Sequence, residues 1–141
     1  MWRGFRVARR AYARNVTVDA LREPWVVSAA HDGYRRLPGR VIHRRRWEFG
    51  SGSLLVVDSV EGKHVSARAR FHFHPQIEVA LLGAREGSLN GADGLTVRFA
   101  IQNGRAWLED STYHPGFGCS IRNTCLVVEL ERAESIVAFT F

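Results

Sequence analysis

The sequence predicts an all-β fold, an antiparallel β-sandwich or rolled two-sheet domain of about ten or more strands. Three observations predict it. Short runs alternate apolar and polar residues along most of the chain, turn residues separate those runs, and no segment keeps a helical period between caps. Alternation marks a strand with one face in a core, because successive side chains point to opposite sides of a sheet.

The elements follow in order. Val16–Leu21 and Trp25–Ala30 are the first full runs, after an arginine-rich start in which Phe5-Arg6-Val7 also alternates. His31 to Arg40 is a loop by its Asp32-Gly33 and Pro38-Gly39 pairs. Val41–Phe49 alternates, Gly50-Ser51-Gly52 turns the chain, and Leu54–Val57 is apolar on consecutive positions, as in a strand covered on both sides. Past the Glu61-Gly62 turn, Lys63–Phe73 alternates and Gln76–Leu82 forms the next run. Gly87–Gly94 reads as a glycine-rich loop. Leu95–Ile101 and Arg105–Glu109 flank Asn103-Gly104, whose tolerance of positive φ predicts a two-residue hairpin. Leu126–Val128 is apolar throughout, and Ser135–Phe141 completes the set. No linker, low-complexity tract or repeat divides the chain, so residues 1–141 are read as one domain.

Composition narrows the function. No apolar run approaches the roughly 20 residues that span a bilayer, so no membrane partner is expected. Arg3, Arg6, Arg9, Arg10 and Arg14 interrupt the start where a secretory signal would need a continuous apolar stretch. The chain is therefore expected to stay where it is made. The formal charge is +6, and Lys63 is the only lysine among the basic residues. Arginine grips carboxylate, sulfate or phosphate with a planar two-donor fork, which makes an acidic polysaccharide the favoured partner. Nucleic acid is not expected, because none of the recognised binding signatures is present. Cys119 and Cys125 are read as two reduced thiols, since a domain of this size needs no disulfide.

Two constellations carry possible chemistry. In Arg68-Ala69-Arg70-Phe71-His72-Phe73-His74-Pro75, strand geometry places Arg68, Arg70, His72 and His74 on one face and Ala69, Phe71 and Phe73 on the other. The two histidines then lie about 7 Å apart, a spacing compatible with one metal ion. With Glu78 they match the first motif of the cupin barrels, a metal-binding all-β family. The second cupin segment is missing, because His114 precedes Pro115-Gly116 instead of following it. The other constellation runs from His31-Asp32-Gly33-Tyr34-Arg35-Arg36 into His43-Arg44-Arg45-Arg46-Trp47, with Arg44 and Arg46 on one face of a strand. Interleaved arginine and aromatic residues suit an anionic sugar chain; equally, charge keeps an edge strand soluble. Asp58, Glu61, Glu109 and Asp110 read as ordinary turn or strand-end acids, and no catalytic carboxylate pair, nucleophile elbow or phosphate loop is present.

Several segments in order resemble one family: residues 1–11, His31-Asp32-Gly33-Tyr34-Arg35-Arg36-Leu37-Pro38-Gly39, His43-Arg44-Arg45-Arg46, Val56-Val57-Asp58-Ser59-Val60-Glu61-Gly62, Arg70-Phe71-His72-Phe73-His74-Pro75 and Tyr113-His114-Pro115-Gly116-Phe117-Gly118. Together they resemble the C-terminal β domain of heparinase II/III-like proteins, and the likeness covers nearly the whole chain. The resemblance implies polysaccharide lyases that cleave heparan-type and alginate-type uronate chains by β-elimination. It implies a preceding α-helical toroid whose tyrosine and histidine supply acid and base. The family metal, zinc, would have its histidine upstream of this chain. On that reading this is a C-terminal piece with no catalytic residue and no cofactor of its own.

Under the resemblance, Tyr34, Arg44, Arg46, Trp47, Arg68, Arg70, His72 and His74 are the expected substrate-binding residues. The surface left by the missing toroid would favour self-association. Two other readings stay open: a non-catalytic carbohydrate-binding or structural module, and a cupin-like protein holding a metal at His72, His74 and Glu78.

Overall fold

The alternating runs become eleven strands. The computed structural model describes residues 10–141, so Phe5-Arg6-Val7 and most of the first family-like segment lie outside the described residues. The strands are β1 (Ala13–Asp19), β2 (Trp25–His31), β3 (Ile42–Gly50), β4 (Ser53–Glu61), β5 (Arg68–His72), β6 (Glu78–Leu81), β7 (Glu86–Asn90), β8 (Thr96–Asn103), β9 (Arg105–Tyr113), β10 (Ile121–Glu129) and β11 (Glu134–Thr140). Among the described residues there is no helix.

They form two antiparallel sheets. The larger has eight strands in the order β1-β2-β3-β4-β11-β8-β7-β6, and the smaller has three in the order β5-β10-β9. β1 to β4 is a meander, and β6 to β8 is another. The last strand, β11, joins the two meanders by pairing with β4 on one side and β8 on the other. The smaller sheet packs across the larger. Val56, Val97, Phe99, Ile101, Val137 and Phe139 of the large sheet meet Ala69, Leu126 and Val128 of the small one in a single buried cluster. Leu126, Val127 and Val128 are wholly buried, so β10 is covered on both faces, as its unbroken apolar run predicts.

The structure differs from the sequence reading in three places. Asn103-Gly104 is not a hairpin. β8 pairs with β7 and β11, whereas β9 pairs with β10 in the other sheet. The positive φ of Gly104 (111°) redirects the chain from one sheet to the other, while the Asn103 side chain donates to the Glu134 carbonyl at 3.3 Å. Second, the strand expected over Lys63–Phe73 is confined to β5, and residues 62–67 form a connection between the sheets. Third, the presumed Gly87–Gly94 loop contains most of β7. Gly87 lies opposite Phe99, where an added Cβ would stand 2.3 Å from that ring and 2.3 Å from the Ala80 carbonyl oxygen. A glycine that reads as a turn signal is here the space a core aromatic occupies.

Candidate functional site

Between the β2–β3 loop, the β4–β5 connection and the edge strand β5 lies a cavity of about 580 Å³. Its floor is built by cross-strand pairing. His31 and His43 are directly opposite on β2 and β3, and Arg45 and Asp58 are directly opposite on β3 and β4. Alternation along β3 sends His43, Arg45 and Trp47 to the same inner side. Asp58 is 1% exposed, and an ionised carboxylate at that depth needs partners. It has three bonds: His43 Nε2–H donates to Oδ1 at 2.6 Å, and Arg45 donates from Nε to Oδ1 at 2.7 Å and from Nη2 to Oδ2 at 2.9 Å. Burial alone would raise the Asp58 carboxyl, but the bonds from His43 and Arg45 outweigh it and hold it below the usual carboxylate range. The Arg45 guanidinium also lies 5.0 Å from the centroid of the Phe71 ring on β5, which braces the floor against the small sheet.

The His31 ring stands 5.0 Å from that of His43 and 5.2 Å from that of Tyr34. Its Nδ1 accepts the Gly33 N–H at 3.2 Å, so the neutral ring carries its proton on Nε2. Burial, then the neighbouring His43, push the His31 pKa below its ordinary value, against the opposing pull of Asp32. The loop above is shaped by successive turns: Arg35 N–H to the Asp32 carbonyl at 2.9 Å, Leu37 to Tyr34 at 2.9 Å and Arg40 to Leu37 at 2.8 Å. Asp32 is anchored by the Tyr12 N–H at 3.1 Å and by Arg14 Nε at 2.6 Å. Lys63 donates its backbone N–H to the Gly39 carbonyl at 3.0 Å, tying the two rims together. Glycine is required at position 39, where a Cβ would fall 1.7 Å from the Lys63 carbonyl oxygen. Among the described residues the Lys63 ammonium has no ion-pair partner.

The sequence-predicted residues do not share one site. Tyr34, Arg68 and Arg70 border the cavity. Arg44 and Arg46 point to the opposite face of the large sheet, where Arg46 pairs with Glu48 at 3.1 Å and Arg44 lies 3.9 Å from Glu61. Trp47 points inward and packs on the core, so it offers no platform to a sugar. Arg68, Arg70 and His72 do share one face of β5, as alternation predicts, because Ala69 is buried and Phe71 packs on the core. That face is self-paired. Arg70 donates to Glu109 at 2.7 Å, Trp107 Nε1 donates to the same carboxylate at 2.7 Å, and Arg68 stacks 5.2 Å from the Trp107 ring centroid. His72 Nδ1 is 3.1 Å from Ser111 Oγ. His74 lies past the end of β5, edge-on to Tyr113 at 5.2 Å.

Glu78 opens β6 at the far edge of the large sheet, away from His72 on the small one. Among the described residues no three His, Cys, Asp or Glu side chains are grouped to hold a metal ion, so the residues present do not fit the cupin arrangement. Sequence reasoning had His31, His43 and Arg45 in its second constellation without choosing them as binding residues, read Asp58 as an ordinary turn or strand-end acid, and gave no role to Lys63 on the rim. One signal for the floor exists. An aspartate amid Val56-Val57-Asp58-Ser59-Val60 occupies a position where alternation demands a core residue, and a buried carboxylate implies a cation opposite it.

The molecule is thus a two-sheet antiparallel β domain with a basic, imidazole-floored cavity between its sheets. The family model described as heparinase II/III-like, C-terminal, matches residues 1–138, and the chain belongs to that family. Among solved structures, a heparinase III gene product superposes with a TM-score of 0.71 at 12% identity, covering 92% of this chain and 21% of that one. A second heparinase III structure, with methylated lysines, gives 0.59 at 13% identity over 82% of this chain and 19% of that one. At these identities the likeness is one of fold. The chain spans about a fifth of the length of the structures it matches. No curated protein matches it.

Proposed function

We propose that this chain is the sheet domain of a heparinase II/III-like polysaccharide lyase and forms one wall of a cleft for an acidic, uronate-bearing chain. The elimination chemistry then comes from residues outside the chain, and the domain by itself binds without cleaving. The observation that supports this most is the cavity mouth, where Tyr34 and the unpaired Lys63 stand beside the apolar Leu37, Val41 and Val60, with Arg68 and Arg70, already engaged by Trp107 and Glu109, at its border. An aromatic ring, a cation and apolar walls suit a sugar ring that bears a carboxylate. The expected contact set is narrower than charge alone suggests, because Arg44 and Arg46 face elsewhere.

Calorimetry of the chain against alginate and heparan-type oligosaccharides and a neutral glucan, at two salt concentrations, tests the reading. Acidic oligosaccharides alone should bind, and more weakly at high salt. Lys63→Ala should lower affinity about tenfold, the scale of one charge-assisted hydrogen bond, while Arg46→Ala leaves it unchanged. Equal binding of the neutral glucan would instead favour a general carbohydrate-binding module, and binding of none would leave a structural role. Release of unsaturated uronate by the purified chain would overturn the non-catalytic half of the proposal.

A further inference from the structure

The floor of the cavity has chemistry that a simple basic rim would not need. His43 is committed to Asp58 through Nε2, whereas the Nε2 of His31 has no protein partner among the described residues and belongs to a ring lining the cavity. Two imidazoles with centroids 5.0 Å apart resist carrying charge together, and burial adds to the cost. The groups facing His31 are His43 and Arg45 from β3, Asp58 from β4, and Asp32 and Tyr34 from its own loop, with Arg14 of β1 reaching it through Asp32. Across the cavity are Lys63, His64, Arg68 and Arg70. Asp58 is already matched by His43 and Arg45, and Asp32 by Arg14 and the Tyr12 N–H. Arg70 is matched by Glu109, so among the described residues the cavity lining holds the unpaired Lys63 ammonium and no uncommitted carboxylate to favour a proton on His31.

We infer that the cavity is a proton-coupled site for one anionic group of a sugar, a carboxylate or sulfate, held between His31 Nε2–H and the Lys63 ammonium, with His31 taking up a proton as the anion enters. The inference rests on the polysaccharide reading above and adds to it a defined subsite and a pH dependence. An anion beside Nε2 supplies the missing countercharge, so the protonated ring becomes favoured only in the complex. Linkage then requires the affinity to rise as the pH falls toward the range where imidazole titrates. The proton comes from solvent to His31 Nδ1, which gives up its bond from the Gly33 N–H, while Nε2–H stays directed at the anion; no covalent bond to the sugar is made or broken.

The test is calorimetry of the whole chain with a glucuronate-bearing tetrasaccharide, with inorganic sulfate and with a neutral glucan, from pH 6 to pH 8, in two buffers of different ionisation heat. Binding of the tetrasaccharide should tighten about five- to tenfold from pH 8 to pH 6, and the buffer difference should report a net uptake approaching one proton. His31→Gln should abolish the uptake and flatten the pH dependence. Lys63→Gln should weaken binding at every pH yet retain the uptake, and His64→Gln should retain it as well. Sulfate binding with the same uptake would identify the anion itself as the recognised group; sulfate inert beside a binding tetrasaccharide would assign recognition to the uronate carboxylate. Tetrasaccharide binding with no proton uptake, or uptake that survives in His31→Gln, overturns this inference alone. Absence of binding by any acidic saccharide at any pH overturns both it and the polysaccharide reading.

Discussion

The carboxylate of Asp58 accepts the Nε2–H of His43 at 2.6 Å from a position that is 1% exposed. The same carboxylate takes both donors of the Arg45 fork, so two strands of the large sheet are cross-linked beneath the cavity. Removing one member of such a cluster leaves the others buried without countercharge.

Asp58→Asn should therefore cost about 3–5 kcal/mol of stability, the usual penalty for breaking a buried pair from one side. Chemical denaturation measures it, and a loss under about 1 kcal/mol would contradict the buried network. The pH dependence has a definite sign. The folded carboxyl titrates below its unfolded counterpart, so its contribution is present above the ordinary carboxylate pKa and disappears as pH falls through the lowered folded value. The loss of wild-type stability on acidification across that window should be shallower in Asp58→Asn.

Trp47 and Tyr34 separate packing from recognition. Trp47 packs on the core, so Trp47→Ala should lose about 3 kcal/mol. Tyr34 is half exposed beside His31, and Tyr34→Ala should change stability by less than about 1 kcal/mol while weakening saccharide binding. Thermal unfolding paired with calorimetry reads both. A stable Trp47→Ala protein with impaired binding would return Trp47 to the binding surface.

Gly39→Ala probes the rim. The new methyl would collide with the Lys63 carbonyl oxygen, and relief requires the two loops to separate, with loss of the bond from the Lys63 N–H to the Gly39 carbonyl. The expected cost is about 1–3 kcal/mol, with weaker binding of acidic oligosaccharides because Lys63 is displaced. Wild-type affinity in a destabilised Gly39→Ala protein would show that Lys63 does not need that anchor.

The two thiols should react at different rates. Cys119 is exposed, whereas Cys125 is wholly buried on β10 and burial pushes its thiol pKa up. A thiol reagent near neutral pH should label one site quickly in the native protein and both after unfolding. Mass spectrometry of Cys119→Ser should show the fast label gone; two fast sites in the native wild type would contradict the placement of β10.

Much of the local structure was legible in the sequence. Alternation put Arg68, Arg70 and His72 on one side of β5 and Ala69 and Phe71 on the other, and the unbroken run of β10 announced a strand covered twice. β7 escaped notice because Gly87, which makes room for Phe99, has the same appearance in sequence as a turn residue. The crossing at Asn103-Gly104 was hidden for a similar reason, since a positive φ serves a hairpin and a change of sheet alike. Of the cavity, Tyr34 and the two arginines of β5 were chosen from the sequence; His31, His43 and Arg45 stood in the same constellation as Tyr34 without a role, and Asp58, which joins His43 to Arg45, passed for an ordinary acid.

The sequence by itself determined which residues lie in strands and which side of its own strand each one faces, because that follows from a backbone repeat two residues long. Only the tertiary structure decided which strands share a sheet and which faces turn toward each other. That choice sent Arg44 and Arg46 away from the cavity, turned Trp47 into the core and set Asp58 opposite Arg45. Such placements depend on burying apolar faces contributed by distant parts of the chain, as when β11 inserts between β4 and β8, and no local spacing records which distant face a strand will meet.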